Sequence, residues 1–273
     1  MGKKLNLDNP KDLNEWVLFL SLCTKHPQWS LYADKFRVRD YVASKGFGDM
    51  LVPLLEYWDD AKDFSLEKLP DCFVLKFNGG GDSTSVILVD DKSKFKEPEL
   101  KSTIKQWMHT SYGIDSAEPH YRKIPPVVIA EKLLDCKKQS ITSSSLIDYK
   151  VFCIFGEPQY IFCYTNRKNH TYNLQLFDTE WHDKSEFIVY NYMCFPPIED
   201  TPQPKNLNRI FDACRKLSKD EPFCRIDFYE VDNKPYFGEM TMVSYAGRFN
   251  LVKQSWLDEM GRRIADAYNK KIS

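Results

Sequence analysis

The sequence predicts an α+β fold, and three observations carry that expectation. Residues 225–241 alternate apolar and polar, turn at Asp232-Asn233-Lys234, and alternate again, which is the pattern of a β-hairpin. Residues 149–155 and 159–164 form a second strand pair joined by Gly156-Glu157-Pro158, a strong turn signal. Segments of helical period at 10–23, 205–219 and 252–270 surround these hairpins. Antiparallel hairpins interleaved with helices indicate an α+β or mixed α/β architecture.

Taken in order, residues 10–23 open the chain with a helix that Pro10 starts. Residues 34–45 place Val38, Tyr41 and Val42 on one face of a second helix. An extended segment at 51–58 leads into a linker ending near Pro70. Strands at 73–77 and 86–89 enclose the loop Asn78-Gly79-Gly80-Gly81-Asp82-Ser83-Thr84-Ser85. A helix with polar flanks covers 97–108. Pro125 and Pro126 introduce a short strand at 127–130, and the Ser-rich residues 136–146 make a loop. Further strands are expected within 172–190, and four prolines in 196–204 make a rigid connector. The helix at 205–219 precedes the 225–241 hairpin, and that at 252–270 follows it.

The 273 residues suffice for one large domain or two modest ones. Lys+Arg 38 against Asp+Glu 39 gives a net charge of −1, which excludes a nucleic-acid partner held by bulk charge. The eight cysteines form no C-x-x-C pair, so no zinc ribbon or redox motif is expected. No run of 18 apolar residues is present, so no membrane-spanning helix is expected. The first residues run into polar sequence without a signal core, and Asn6 stands where myristoylation wants Ser or Thr. With most cysteines inside apolar elements, these features point to a reducing, cytoplasmic setting.

Four local patterns could carry chemistry. On the 225–241 hairpin, Arg225, Asp227 and Tyr229 share one face of the first strand, and Phe237, Glu239 and Thr241 share one face of the second. With Asn233 at the centre of the turn, Asp227 and Glu239 fall opposite one another, roughly 4.5–5.5 Å apart. Two facing carboxylates repel unless a cation relieves them, and hard oxygen ligands suit magnesium. The alternative is a solvated hairpin face carrying ordinary charges, against which Tyr229 and Phe237 weigh as too apolar for a fully wet face. The triple glycine at 79–81 removes Cβ atoms, so backbone N–H groups can approach a phosphate, with Ser83 adding a hydroxyl. It is not a Walker A loop, because no Gly-Lys-Ser/Thr follows, and a plain flexible turn is the alternative. Lys76 and Lys150 sit inside apolar strands, where an ammonium needs an anion such as a phosphate; the alternative is an edge strand that lets them reach solvent. Glu131-Lys132-Leu133-Leu134 follows the strand at 127–130 and could present donors and acceptors to a purine edge, or be a charged strand end.

The order Lys35, Lys76, glycine loop, Glu131, Lys150, Asp227, Glu239 resembles an ATP-grasp enzyme. Within that superfamily the chain resembles the TupA-like branch, found among polysaccharide biosynthesis proteins. The likeness runs through Asp34-Lys35-Phe36-Arg37-Val38-Arg39-Asp40-Tyr41-Val42, Leu69-Pro70-Asp71-Cys72-Phe73-Val74-Leu75-Lys76, Asp148-Tyr149-Lys150-Val151-Phe152, Phe177-Asp178-Thr179-Glu180-Trp181 and Tyr236-Phe237-Gly238-Glu239-Met240-Thr241. The chain departs from the family pattern at Thr241, where Asn is usual, and in the glycine loop, which lacks the usual His.

The resemblance implies an ATP-grasp fold, in which a nucleotide is held between two α+β subdomains beside a short N-terminal domain. It divides the chain into an N-terminal region at 1–70, a lid subdomain with its flap at 71–132, and a subdomain with the metal-binding hairpin at 133–273. The implied cofactors are ATP and two magnesium ions. Lys35, Lys76, Gly79, Gly80, Gly81, Ser83 and Lys150 are assigned to the phosphates, and Glu131, Lys132 and Leu134 to adenine. Asp227, Glu239 and Thr241 are assigned to metal, Arg225 to the developing charge, and Arg248 to a substrate carboxylate. Arg167 and His170 are weaker candidates of the same kind. The implied reaction is carboxylate–amine ligation through an acyl phosphate, on a small-molecule or saccharide carboxylate such as a uronic acid, with a homodimer left open. The rivals are a metal-dependent glycosyltransferase, whose Asp-x-Asp motif this chain lacks, and an ATP-binding protein without turnover.

Overall fold

The structure, a computed structural model, describes residues 5–81, 83–110, 112–114 and 116–272; the side chains of Ser83 and Ile272 lie outside the described part. In chain order the helices are α1 (Leu13–Cys23), α2 (Trp29–Ala33), α3 (Val38–Val42), α4 (Glu97–His109), α5 (Leu207–Leu217) and α6 (Gln254–Ile272). The strands are β1 (Leu54–Trp58), β2 (Phe73–Phe77), β3 (Val86–Val89), β4 (Val128–Lys132), β5 (Asp148–Ile154), β6 (Glu157–Lys168), β7 (Thr171–Asp178), β8 (Cys194–Phe195), β9 (Cys224–Val231) and β10 (Lys234–Thr241). The expected α+β class is the observed one. The chain divides into two compact units, residues 27–134 and residues 1–26 with 135–273.

In the unit 27–134, a four-stranded antiparallel sheet runs β1-β4-β2-β3. Its apolar residues Phe73, Leu75, Phe77, Val128 and Ala130 form one core with Leu100, Ile104 and Trp107 of α4. Those three lie at i, i+4 and i+7, the stripe that a helix turns toward a sheet. The helix expected over 34–45 is shorter: α3 ends at Val42, and a π-turn with Gly46 at φ 88° follows. The strand expected to end at 130 runs on through Glu131 and Lys132, because both pair with neighbouring strands: Glu131 with Leu54 and Val74, Lys132 with Phe73.

In the other unit a six-stranded sheet runs β10-β9-β5-β6-β7-β8, antiparallel except for β7 with β8. One face packs on α6, where Trp256 meets Phe152 and Phe162 at ring distances of 5.8 and 5.7 Å. On the opposite face α5 brings Cys214 to Cys153 in the buried core. All eight cysteines are free thiols. Only one strand, β7, covers part of 172–190, where several were expected; after it the amides of Glu180, His182 and Ser185 donate to the carboxylates of Asp178 and Asp183, which bends the chain back.

Residues 1–70, expected as one N-terminal region, are shared between the two units. The cause is α1. Asp12 caps it by accepting from the Glu15 amide, and Leu13, Trp16, Val17 and Leu20 are buried. Trp16 meets Tyr268 of α6 at 5.4 Å, and Asn14 accepts from the amide of Phe249. A Cβ on Gly247 would lie 2.6 Å from Cγ of Leu18, so only glycine lets α1 approach the turn that follows β10.

Candidate active site

Each unit gathers its own set of charged groups. In residues 27–134 the set is built on β2 and β4. Both are interior strands, so Lys76 is no edge-strand lysine reaching solvent. Its ammonium bonds Oε2 of Glu131 at 2.7 Å, and Nη1 of Arg39 bonds Oε1 at 2.7 Å. Glu131 is buried, and two cations hold its charge there. Lys132, next along the strand, is exposed, and Leu134 is buried.

The glycine loop is anchored at its start. Asn78 is fully buried; its side chain donates to Asp34 and to the Pro125 carbonyl and accepts from the amide of Val127. Asp34 also accepts from the amides of Phe36 and Arg37, which fixes the backbone around Lys35. Lys35 Nζ then donates to the Gly80 carbonyl at 2.5 Å. Glycine at position 80 is a packing requirement, since a Cβ there would lie 2.0 Å from Oγ of Ser85. Gly79 and Gly81 flank it, and the side chain of Ser83 is outside the described part.

In the other unit the hairpin of β9 and β10 forms as expected, with Asp232 and Asn233 both left-handed at φ 54° and 57°, the turn that matches strand twist. That two-residue turn pairs Val231 with Lys234, so unbroken pairing would set Asp227 against Gly238. A bulge between Phe237 and Glu239 restores the facing of Asp227 and Glu239. The bulge also corrects one expectation: Phe237 pairs with Phe228 on the opposite face and does not share a face with Glu239 and Thr241. Asp227 also pairs with Lys150 of β5, so Lys150, Asp227 and Glu239 stand in a row across three strands.

This row is an ionic network. Arg225 donates from Nε to Oδ1 of Asp227 at 2.6 Å and from Nη2 to Oδ2 at 2.8 Å. The same Nη2 reaches Glu239 Oε1 and Thr241 Oγ1, each at 3.0 Å. Lys150 bonds Oδ2 of Asp227 and, at 2.7 Å, Oδ2 of Asp148. Asp148 Oδ2 also accepts from Arg167 at 2.9 Å. Burial and Arg225 work against the charge on Lys150, but Asp148, Asp227 and Glu239 together raise its pKa. Burial likewise opposes the charge on Arg225, and Asp227 outweighs it, driving that pKa up. Burial also pushes the Asp227 carboxyl up against the pull of Arg225 and Lys150. Both its oxygens accept hydrogen bonds from cations, and that geometry favours the ionised form.

Sequence reasoning missed three participants. Asp148 stands two residues before Lys150, so period-2 alternation places both on one face, a signal present but unused. Arg39 has no local signal, because its partner Glu131 is 92 positions away. Tyr245 meets Arg225 with its ring, 5.8 Å from centroid to Cζ, and its hydroxyl bonds that of Tyr164. Tyr245, Ala246 and Gly247 are successively left-handed at φ 53°, 50° and 68°, a strained turn directly after β10. Arg248 follows it and is exposed, as are Arg167 and His170.

Among the described residues no group of three or more His, Cys, Asp or Glu side chains is placed to hold a metal ion. Asp227 and Glu239 are two carboxylates, and Thr241 adds a hydroxyl that donates to Glu239 at 3.3 Å. Two carboxylates suit a magnesium ion whose remaining ligands are water and substrate phosphates. Asp227 and Glu239 therefore fit an ion that arrives with phosphate ligands.

A model of the TupA-like ATPgrasp family matches residues 15–265. No match was found among curated proteins. Among solved structures, the chain is similar to D-alanine–D-alanine ligase from Bacillus anthracis, with 17% identity, a TM-score of 0.52, and coverage of 90% of this chain and 71% of that one. It is also similar to D-cycloserine synthetase, with 12% identity, a TM-score of 0.50, and the same coverage of 90% and 71%.

Proposed function

The chain belongs to the TupA-like ATP-grasp family, and from that membership we propose that it is an ATP- and magnesium-dependent carboxylate–amine ligase. One observation carries the reading furthest: the row Lys150–Asp227–Glu239 on three adjacent strands, its first two members buried and its two acids tied together by Arg225. Burying that many charges is costly for a fold that needs none of them, so a polyanion-handling role accounts for them better than stability does.

The roles follow from what each side chain can do. In residues 27–134, Lys35, Lys76 and the glycine loop form a phosphate-binding set, with Glu131 and the strand after it assigned to the adenine edge. In the other unit, Lys150 contacts phosphate, and Asp227 and Glu239 with Thr241 are the metal-binding groups. Bound with the nucleotide, magnesium would supply charge neutralisation at the phosphates. Arg225 places its guanidinium beside both carboxylates, where it can stabilise negative charge on a reacting acyl group. The carboxylate substrate is phosphorylated to an acyl phosphate with release of ADP; an amine attacks the acyl carbon and phosphate leaves. A sugar acid of a cell-surface polysaccharide as the acceptor rests on the branch resemblance alone.

The test is a melting series with ATP, ADP and UDP-sugars, each with magnesium, followed by ADP release across uronic acids paired with amino acids or amino sugars. Stabilisation by MgATP and acceptor-dependent ADP release are expected. Stabilisation by UDP-sugars with none by ATP would turn the reading toward glycosyl transfer.

A further inference from the structure

Arg167 of β6 stands at the end of the ionic row, and an irregularity in its strand puts it there. Asp148 and Tyr164 pair directly across β5 and β6, so both lie on the face that carries Lys150. Unbroken alternation from Tyr164 would turn Asn166 to that face and Arg167 to the other. A bulge intervenes: Thr165 pairs with Asn173 and Lys168 with Thr171, so Asn166 and Arg167 together oppose the single Tyr172. Asn166 is left-handed at φ 50°, a conformation asparagine tolerates better than most side chains. Four hydrogen bonds hold the bulge. The Asn166 amide donates to Oγ of Ser143 at 2.9 Å, and its Oδ1 accepts from the Ser144 amide at 3.0 Å. Its Nδ2 donates to Oδ1 of Asn173 at 3.2 Å, and the Arg167 amide donates to Oγ of Ser145 at 3.1 Å. Three of the four come from the Ser-rich loop, which thereby brings Arg167 Nη1 to Oδ2 of Asp148.

The ion pair so made is incomplete on both sides. Arginine–carboxylate pairs are frequently two-bond forks. Here Nη1 alone meets Asp148, on the oxygen that Lys150 already bonds at 2.7 Å. Asp148 is 2% exposed, and its Oδ1 has no hydrogen-bond partner among the described residues. Nε and Nη2 of Arg167 have none among them either, and the side chain is 47% exposed. The ring of Tyr164 lies 5.6 Å from its Cζ and steadies the guanidinium. Arg167 is thus held by one nitrogen and one ring, with two donors unused and open to solvent. We propose that these donors are the seat of a non-reacting carboxylate, so that one substrate carries an anionic group besides the one that reacts. The group is a non-reacting one because Arg225 stands beside the metal-binding acids, whereas Arg167 reaches the row only through Asp148 and Lys150. A carboxylate fits better than a phosphate, since Asp148, Asp227 and Glu239 in the same cluster repel a dianion more than a monoanion. The assignment to a substrate rests on the ligase reading above; the anion seat itself needs no ATP.

The experiment follows the arginine Nε–H resonances of the whole 15N-labelled chain, with the Arg167 signal identified by its loss in Arg167→Lys. The probes are malonate, its neutral counterpart malonamide, and inorganic phosphate, each without nucleotide. Malonate should shift the Arg167 signal saturably, and malonamide should leave it in place. Arg167→Lys keeps the charge and loses the fork, so malonate binding to it, read by calorimetry, should be at least about tenfold weaker than to wild type. An Arg167 signal that ignores malonate, or that malonamide moves equally, would overturn the proposal. So would a folded Arg167→Lys that binds malonate as wild type does. A tighter fit to phosphate than to malonate would overturn the choice of a carboxylate. Circular dichroism checks the fold of the variant, and the wild-type titrations decide the matter even if it does not fold. MgATP melts of the wild type separate the two readings. Stabilisation by MgATP with no malonate response at Arg167 sinks the anion seat alone; a malonate response without stabilisation by MgATP sinks the ligase reading and leaves the seat standing.

Discussion

At the scale of single residues, Asp227 and Glu239 differ although they face one another. Asp227 is 2% exposed and braced by two cations, whereas Glu239 is 29% exposed at its side chain. Asp227→Asn therefore breaks a buried charge cluster and should lower stability by about 3–5 kcal/mol. Glu239→Gln should leave the melting temperature within about 1 kcal/mol of wild type and still cut ADP release by at least about a hundredfold. Equal melting losses in both variants would contradict this division. His120 makes a separate prediction. It is 7% exposed, neither ring nitrogen has a hydrogen-bond partner among the described residues, and its ring meets Trp29 and Tyr121. Burial lowers its pKa to about 4 from an ordinary 6.5. The unfolded chain therefore binds the proton more readily, and stability is full above pH 6.5 and falls as pH drops toward 4. The loss approaches about 3 kcal/mol. Denaturant melts of wild type and His120→Phe between pH 4 and 7 check it; the variant should lose this part of the pH dependence.

At the scale of elements, the glycine loop and the hairpin show two uses of glycine. Gly80 is required because Ser85 occupies the space of a Cβ, and Ser85 Oγ is held by the hydroxyl of Tyr112 at 2.7 Å. Gly80→Ala should cost about 1–3 kcal/mol through overpacking and should weaken MgATP binding. Adding Ser85→Gly should recover most of the stability, and calorimetric melts of the two variants decide whether packing is the cause. Gly238 marks the bulge of β10, where a Cβ would lie 3.0 Å from the Asp227 carbonyl oxygen. The hairpin itself was legible in the sequence, because period-2 alternation survives a bulge of one residue. The bulge was not legible, because turn symmetry alone sets Asn233 at the centre, and the observed two-residue turn is offset from that by half a residue. The same blindness put Phe237 on the wrong face.

At the scale of the molecule, α1 belongs with the C-terminal unit, although more than a hundred residues of another unit separate them in sequence. Its buried Trp16 meets Tyr268 of α6, and its buried Leu18 lies against Gly247 in the turn after β10. A chain beginning at residue 27 should lose hydrogen-exchange protection in α6 and in residues 244–247 while the 27–134 sheet keeps its own. Equal protection in both would show that α1 is dispensable. Saturating MgATP at 100 times its Kd should add about 2.7 kcal/mol to the unit that binds it, read as a rise in melting temperature. Among the described residues no helix is long and apolar enough to cross a membrane.

By itself the sequence determined the α+β class, the two hairpins, the glycine loop, and the identity of Lys76, Lys150, Asp227 and Glu239 as lysines and acids set in apolar strands. Those features are local: alternation, turn residues and charge in an apolar run are all read within a few positions. Only the tertiary structure decided that Lys76 and Lys150 lie on interior strands and meet Glu131, Asp148 and Asp227, that Arg39 completes the first cluster, and that α1 closes the far end of the chain. Those pairings join residues between 55 and 92 positions apart, apart from Lys150 with Asp148. The energy that selects such distant partners, the need of a buried charge for its opposite, is felt only once the strands are side by side.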